Sequence, residues 1–274
     1  MTDTLTRVAP PSQRRRRPHA SSDLVLGALG VLIVVAVEEV LTRSAVVNPD
    51  YLPPASTMVT TLVDLLDEQD FWVAFAQTLT GWAVGLSIAL AIGIVAGLVI
   101  GSIPVLRAVT ASSIEFLRPI PSVALIPLVV LMFGSRPASA IVLVVYAATW
   151  QVLVQVLYGV ADVDPVARET AHSYRFSAWR VARTVVWPSA LPYVVTGFRL
   201  AAAVALILEV TAELVIGVPG LGRSIGVAQS SGAVPLTYAL VIVIGLIGVA
   251  VNLLARWTER RVLHWHPSVR GILA

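Results

Sequence analysis

The sequence predicts an all-helical integral membrane protein with six spans, and three observations carry that prediction. Of the 274 residues, 57% are hydrophobic and only 13% are charged, with a mean hydropathy of +0.85; soluble domains run at about 45–50% apolar and about 25% charged. A single core cannot hide so much apolar surface, so the remainder must face lipid. Second, six apolar segments, near residues 24–42, 73–100, 105–133, 137–160, 193–216 and 236–257, each supply the roughly 20 residues a bilayer crossing needs. Third, the arginines are asymmetric. With both termini inside, Arg7, Arg14–Arg17, Arg107, Arg118, Arg168, Arg175, Arg180, Arg183, Arg199, Arg256, Arg260, Arg261 and Arg270 fall on the inner side, against Arg43, Arg136 and Arg223 outside, as the positive-inside rule requires.

The elements follow in order. Residues 1–23 are polar, with Arg14 to Arg17 in a row, and read as a cytoplasmic tail that fixes orientation, with contact to anionic lipid as the alternative. Glu38 and Glu39 close the first span at its outer, exposed end. An acidic outer loop follows, in which Leu52-Pro53-Pro54-Ala55-Ser56 turns the chain. Met58, Leu62, Leu65 and Leu66 then recur at helical spacing, an amphipathic surface helix. The third span is interrupted by Pro119, Pro121 and Pro127, so Arg118-Pro119-Ile120-Pro121 marks where a surface segment turns into the span proper. Gln151 and Gln155 share a face of the fourth span, with Tyr146 near, either bridging helices by hydrogen bonds or lining a polar passage. Glu209 and Glu213, four apart in the fifth span, also share a face. They are structural partners held in the bundle, or a pathway lining or gate, and Arg199 on the same helix is a candidate to offset one charge. Residues 217–235, with Gly217, Gly220, Gly222, Gly226 and Gly232, form a glycine-rich connector or gate loop. Trp72, Trp257 and Trp265 read as interfacial anchors, and a tail at 261–274 ends the chain.

Several function classes are excluded. All 19 basic residues are arginine, whereas a P-loop needs its lysine on the nucleotide phosphates and a pyridoxal enzyme needs a Schiff-base lysine. Any ATP-driven role therefore takes its energy from another polypeptide. With no cysteine there is no disulfide framework or thiolate metal site. His19, His172, His264 and His266 are scattered outside the spans without metal-binding spacing, so no metal is expected. No nucleophile elbow and no nucleic-acid-binding signature is present, so neither catalysis nor a nucleic-acid partner is expected.

Residues 169–192, ETAHSYRFSAWRVARTVVWPSALP, form the one long polar stretch amid these spans. Asp164-Pro165 starts a helix, an aspartate cap before a proline at the first helical position. Arg168, His172 and Arg175 line one face and Ala167, Thr170, Ala171 and Tyr174 another. Ser177 caps a second short helix, which Pro188 and Pro192 are expected to break, with a turn near Arg175 and Phe176. This segment resembles the cytoplasmic loop of ABC-importer permeases, whose pattern is E-A-A, three residues, G, nine residues, I-x-L-P. Glu169 and Ala171 match with Thr170 between them, and Val185 and Pro188 hold the I and P places. Trp187 stands at the leucine, and Arg175 stands where the family has glycine.

A second block, residues 116–134 (FLRPIPSVALIPLVVLMFG), resembles the nitrate, sulfonate, taurine, bicarbonate and pyrimidine-precursor subfamily of those permeases. Gly85, Gly93, Gly159, Ala212-Glu213-Leu214 and Gly220-Leu221-Gly222 extend the agreement in order; Thr78-Leu79-Thr80-Gly81 departs from it at Gly81, where relatives carry arginine. The resemblance implies a type I ABC-importer permease fold over residues 24–260, with cytoplasmic coupling helices in a loop at 161–190. It implies that Pro165, Arg168, Glu169, Thr170, Ala171, His172, Tyr174, Arg175, Phe176, Ser177 and Pro188 meet an ATPase subunit. Thr78, Gln151, Gln155, Glu209 and Glu213 are the pathway or gate candidates. The expected assembly is two permease copies, two ATP-binding-cassette ATPases holding the ATP and Mg, and an extracytoplasmic solute-binding protein, in a bacterial plasma membrane. The expected cargo is a small solute: a sulfonate, a nitrate-like anion, a small carboxylate or a vitamin precursor. A stand-alone secondary transporter or channel is the alternative, and it would carry inverted repeats and mid-membrane charges in both halves.

Overall fold

Where no water is available, a chain this apolar must satisfy its backbone internally, and helices are the solution open to it. The structure, a computed structural model, describes residues 20–44, 46–48 and 50–264, with side chains from Val25 onward. The basic tail with Arg7, Arg14–Arg17 and His19, and the end segment with Trp265, His266 and Arg270, lie outside the described residues. All regular structure among the described residues is helical.

The chain divides into two units at Ser56/Thr57. In the first, α1 (Ala20–Arg43) begins inside the segment read as a tail and carries the first span, Val25–Arg43. Glu39 near its end is more than an exposed acid: its carboxylate accepts from the Ser56 backbone N–H at 3.0 Å and the Ser56 hydroxyl at 2.9 Å, and pairs with Arg43. It thereby caps the first turn of α2 (Ala55–Leu65).

The second unit contains the remaining spans. Helix α3 (Gln69–Ser102) is followed by α4 (Pro104–Leu117), a 3₁₀ turn (Ser122–Leu125) and α5 (Ile126–Phe133). Among the described residues five helices are long and apolar enough to cross a membrane singly; the expected third span corresponds to the α4–α5 pair, bent by 82° between Leu117 and Ser122. Pro119 and Pro121 stand in that break, where they withhold N–H groups that would continue the helix; Arg118 keeps helical dihedrals (φ −58, ψ −42) and the chain is extended at Pro121 (φ −63, ψ 117). Then come α6 (Pro137–Ala161), α7 (Pro165–Ser173), α8 (Ala178–Val181), a π turn (Ala182–Val186), α9 (Trp187–Ile216), α10 (Leu221–Ser230) and α11 (Val234–Val262).

Helices α3, α6 and α9 form the centre of this unit. Gly85, Gly93, Gly97 and Gly101 line one stripe of α3 and meet Val144, Val152, Val156 and Val160 of α6 in the same order. A Cβ at these glycines would come to 2.6, 2.6, 2.7 and 2.9 Å from the facing valines. Packing between membrane helices has no hydrophobic drive, so it depends on such close backbone approach. Gly159 and Gly197 do the same between α6 and α9, against Ala190 and against Val152 and Gln155.

Two sequence expectations are corrected here. Pro188 and Pro192 do not end the helix begun at Ala178: the apolar run Ala178–Ile216 is continuous over 39 residues, with Pro192 inside α9. The π turn just before Trp187 widens the helix by one residue per turn and makes room for the proline ring at 188. The glycine-rich connector at 217–235 is largely the helix α10, not an open loop.

The glycine stripe predicts a mutational asymmetry. Gly97→Leu, facing Val156, is expected to destabilise the detergent-solubilised protein by about 1–3 kcal/mol through overpacking. Gly245→Leu, inside α11 where nothing lies within 4 Å, should not lower the thermal unfolding midpoint, since leucine is the better helix former; equal loss at both positions would refute the packing account.

Candidate functional site

Two places bring functional side chains together, and each is set by local sequence. The first is the polar stretch between α6 and α9. The Asp164 carboxylate accepts from the Val166 N–H at 2.8 Å, and Pro165 takes the first helical position, so α7 starts where its sequence dictates. Its other end is a Schellman turn: the Phe176 N–H donates to the Ala171 carbonyl at 3.0 Å and the Arg175 N–H to that of His172 at 2.8 Å. This turn demands a left-handed residue, and Arg175 supplies it with φ 54, the one non-glycine residue at positive φ among those described. In this left-handed conformation arginine carries the strain of Cβ against its carbonyl, about 1 kcal/mol. The Ser177 hydroxyl then caps α8 by accepting from the Arg180 N–H, and the Arg180 guanidinium lies 4.5 Å over the Phe176 ring.

Ala171 is buried and, with Val163, Val181 and Val186, roots the loop in the core. Tyr193 of α9 donates to the Asp162 carboxylate at 2.8 Å, tying the loop's start to the long helix. Arg168 reaches back to the Val160 carbonyl at 3.4 Å. What remains outward is a mixed surface: Tyr174 and Trp179 are 72% and 75% exposed, beside exposed Glu169, Thr170, His172 and Arg183. Among the described residues the Glu169 carboxylate has no hydrogen bond or ion pair, so it is available to another molecule.

The second place lies at the other end of α9. Glu213 has no exposure. Its Oε2 accepts from the Thr78 hydroxyl at 3.0 Å and from the Gly222 N–H at 2.8 Å, while Thr78 Oγ1 accepts from the Leu221 N–H at 2.9 Å. Between them the carboxylate and the Thr78 hydroxyl satisfy two orphan donors in the first turn of α10. A Cβ at Gly220 would overlap the Glu213 carboxylate, and one at Gly222 would strike the Val210 carbonyl, so these glycines permit the approach. Gly217 ends α9 in the left-handed region, φ 79.

Glu209, one turn earlier, is 3% exposed, yet it makes no hydrogen bond and its Oε2 is buried without a partner. Its carboxylate rests on Gly81, where a Cβ would collide with it, and it lines a cavity of about 470 Å³ between α3, α6 and α9. A neighbouring mouth of about 480 Å³ holds Glu68, Asp70 and Arg223; both cavities are walled by Val73, Gln77 and Pro219.

The pathway candidates therefore separate. Thr78 and Glu213 join in one knot, and Glu209 stands apart from it in a cavity. Gln151 and Gln155 are half-buried on α6, at the α9 contact near Gly197, and neither lines these cavities. It is Tyr146 that bridges, donating to the Leu117 carbonyl at 2.8 Å. Arg199 does not offset either glutamate: ten residues before Glu209 it lies about 15 Å along the helix, and it pairs with Glu259 of α11 at 3.8 Å. Sequence reasoning missed Gly81 as the seat of Glu209 and Trp82, whose indole N–H donates to the Ala202 carbonyl at 2.9 Å; neither contact leaves a local pattern.

With this geometry in place, comparisons define the kinship. The family model for binding-protein-dependent transport system inner membrane components matches residues 55–264. The taurine transport system permease protein TauC of Escherichia coli K12 is 31% identical over 252 residues, covering 90% of this chain and 91% of TauC. The bicarbonate transport system permease protein CmpB of Synechococcus elongatus is 32% identical over 199 residues, 72% of this chain and 71% of CmpB. A bacterial ABC transporter involved in the import of the acidic polysaccharide alginate shares the fold with a TM-score of 0.60 at 16% identity, over 89% of this chain and 97% of that one.

Two substitutions probe the two places. Thr78→Val strips the Leu221 N–H and the Glu213 carboxylate of a partner and should cost about 1–3 kcal/mol in detergent unfolding. Arg175→Gly relieves the left-handed arginine and should steady the turn by up to about 1 kcal/mol, seen as slower amide exchange at Phe176; faster exchange there would contradict the strain.

Proposed function

The chain belongs to the family of binding-protein-dependent transport system inner membrane components, as the membrane-embedded permease subunit of an ABC importer, and we propose that it works as one of a pair of identical copies around a central pathway. Both termini lie in the cytoplasm, as the arginine asymmetry favours. A binding protein delivers a small solute at the opposite face. ATP closes two partner ATPases, and the α7–α8 segment carries that motion into the spans. The relatives named for taurine and bicarbonate support a small solute as the cargo, with a sulfonate foremost.

The observation that carries this reading is the exposed helix–turn–helix at Pro165–Val181: rooted by Ala171 in the core, it presents Glu169, Tyr174 and Trp179 outward. A polar surface so firmly built between two spans is explained by a partner that binds it. Pairing follows from the same feature, because each copy has one such segment and therefore engages one ATPase.

Gentle purification of the tagged protein from its native membrane, with mass spectrometry of what accompanies it, tests the reading; a P-loop ATPase and a solute-binding protein are expected. Active protein recovered repeatedly alone would favour a stand-alone transporter. Glu169→Ala is expected to lower transport by about tenfold or more while leaving the permease folded, since a charge-assisted contact is worth about 1.5–3 kcal/mol. Unchanged transport and unchanged ATPase recovery in that variant would remove Glu169 from the contact.

A further inference from the structure

The geometry points to the cavity beside Glu209 as a binding site for the ammonium group of the transported solute, so that the cargo is a small aminated compound such as an aminosulfonate; this deepens the importer reading and rests on it. Glu209 is nine-tenths and more buried, sits within a membrane-crossing helix and has neither hydrogen bond nor counter-charge among the described residues. A carboxylate in such a place is costly and is kept where something pairs with it. Its neighbour four residues on is different: Glu213 Oε2 accepts from Thr78 and Gly222, though its Oε1 is likewise buried without a hydrogen bond, and Gly220 and Gly222 pack closely against this side chain.

The space is shaped for a ligand. Gly81 removes the side chain that would otherwise fill the place of the carboxylate, and about 470 Å³ opens beside it, enough for a small solute. Along α3 the cavity wall carries Gln77 and Thr80, both exposed. Polar side chains on a lipid-facing stripe would be costly, and on a solute pathway they are useful. The neighbouring mouth shares Gln77, and its charged residues, Glu68, Asp70 and Arg223, are of both signs, which suits a solute that is cationic at one end and anionic at the other. Glu209 then serves as the inner counter-charge, a fixed acceptor for an N–H group, while apolar walls such as Val84 and Ile141 enclose the carbon chain.

Carbodiimide labelling of the reconstituted permease–ATPase complex, without binding protein, isolates this cavity from the binding protein's own selectivity. Dicyclohexylcarbodiimide is expected to modify Glu209, and saturating 2-aminoethanesulfonate should slow that labelling about tenfold or more; 2-hydroxyethanesulfonate, equal in size but without the ammonium, should not. Protection by neither solute, equal protection by both, or a Glu209 that never labels because the assembled complex already pairs it would each overturn the proposal. In uptake assays with binding protein present, Glu209→Gln should reduce the preference for the amino over the hydroxy solute by about tenfold. Gly81→Ala, which displaces the carboxylate, should reduce it too; retention of the preference in both variants would overturn the assignment. ATP hydrolysis stimulated by loaded binding protein is measured on the same samples. Its loss would count against the importer reading, whereas stimulation without selective protection would count against the ammonium site alone.

Discussion

The second unit depends on a carboxylate placed where carboxylates are expensive. Glu213 joins three elements: its own helix α9, the first turn of α10 that follows it, and Thr78 of α3, 135 residues away. The Thr78 hydroxyl has one proton to give and stands 3.0 Å from Glu213 and 3.2 Å from the Ala74 carbonyl, while its lone pair takes the Leu221 N–H. An unmet N–H or carboxylate in the apolar interior costs on the order of several kcal/mol, so these groups hold one another in place. That knot turns a glycine-rich stretch into a seated helix; the seated helix supplies a wall to the mouth at Arg223, and the turn just before it, Val218 and Pro219, supplies one to the Glu209 cavity. Loop chemistry, helix capping and cavity shape are one structural fact at this point.

Around the knot, smallness does what burial of large side chains does in a soluble core. The glycines of α3 present bare backbone to the valines of α6, and Val152 is also met by Gly197 of α9. Dispersion between closely fitted surfaces is the main attraction left once lipid solvates apolar side chains as well as protein does. The same device acts on polar groups at Gly81, Gly220 and Gly222, which admit carboxylates and carbonyls to places that a methyl group would close. Stability and site geometry therefore draw on one residue type, used on different faces of the same helices.

Legibility in the sequence followed the range of the interaction. The long apolar runs at 73–100, 137–160 and 236–257 have one solution in a bilayer, and α3, α6 and α11 contain them. Asp164 and Ser177 were readable because a cap acts over two or three residues. The bend near Pro119 was readable because a proline lacks the N–H that would continue a helix. Pro188 and Pro192 misled because a π turn and packing in the surrounding bundle absorbed their cost, and no local rule reports that. Glu209 and Glu213 were correctly placed on one helix face, yet the environment that distinguishes them comes from Thr78, 135 residues from Glu213, and from Gly81. A pattern of spacing four cannot say that one glutamate accepts two hydrogen bonds at its Oε2 and the other accepts none.

The continuity that the prolines failed to break gives the proposed coupling a mechanical form. From Ala178 the chain runs helical without interruption to Ile216, so Trp179 and Glu209 are about 45 Å apart along one element. On the importer reading, a partner that pushes on α7 and α8 pushes on the near end of the same rod whose far end carries Glu209 and the Glu213 knot. A hinge at Pro188 would let the loop swing while the spans stayed still, and the push would be spent locally. The π turn widens the helix to seat the proline ring and keeps the helix continuous, and Tyr193 on Asp162 fastens the rod to the end of α6. Displacement at the loop must then tilt or shift α9 against the glycine-lined contacts of α6, which are close enough to resist gradual deformation and so favour two discrete packings. Alternating access requires just such a coupling between a distant push and the seat of a single buried charge.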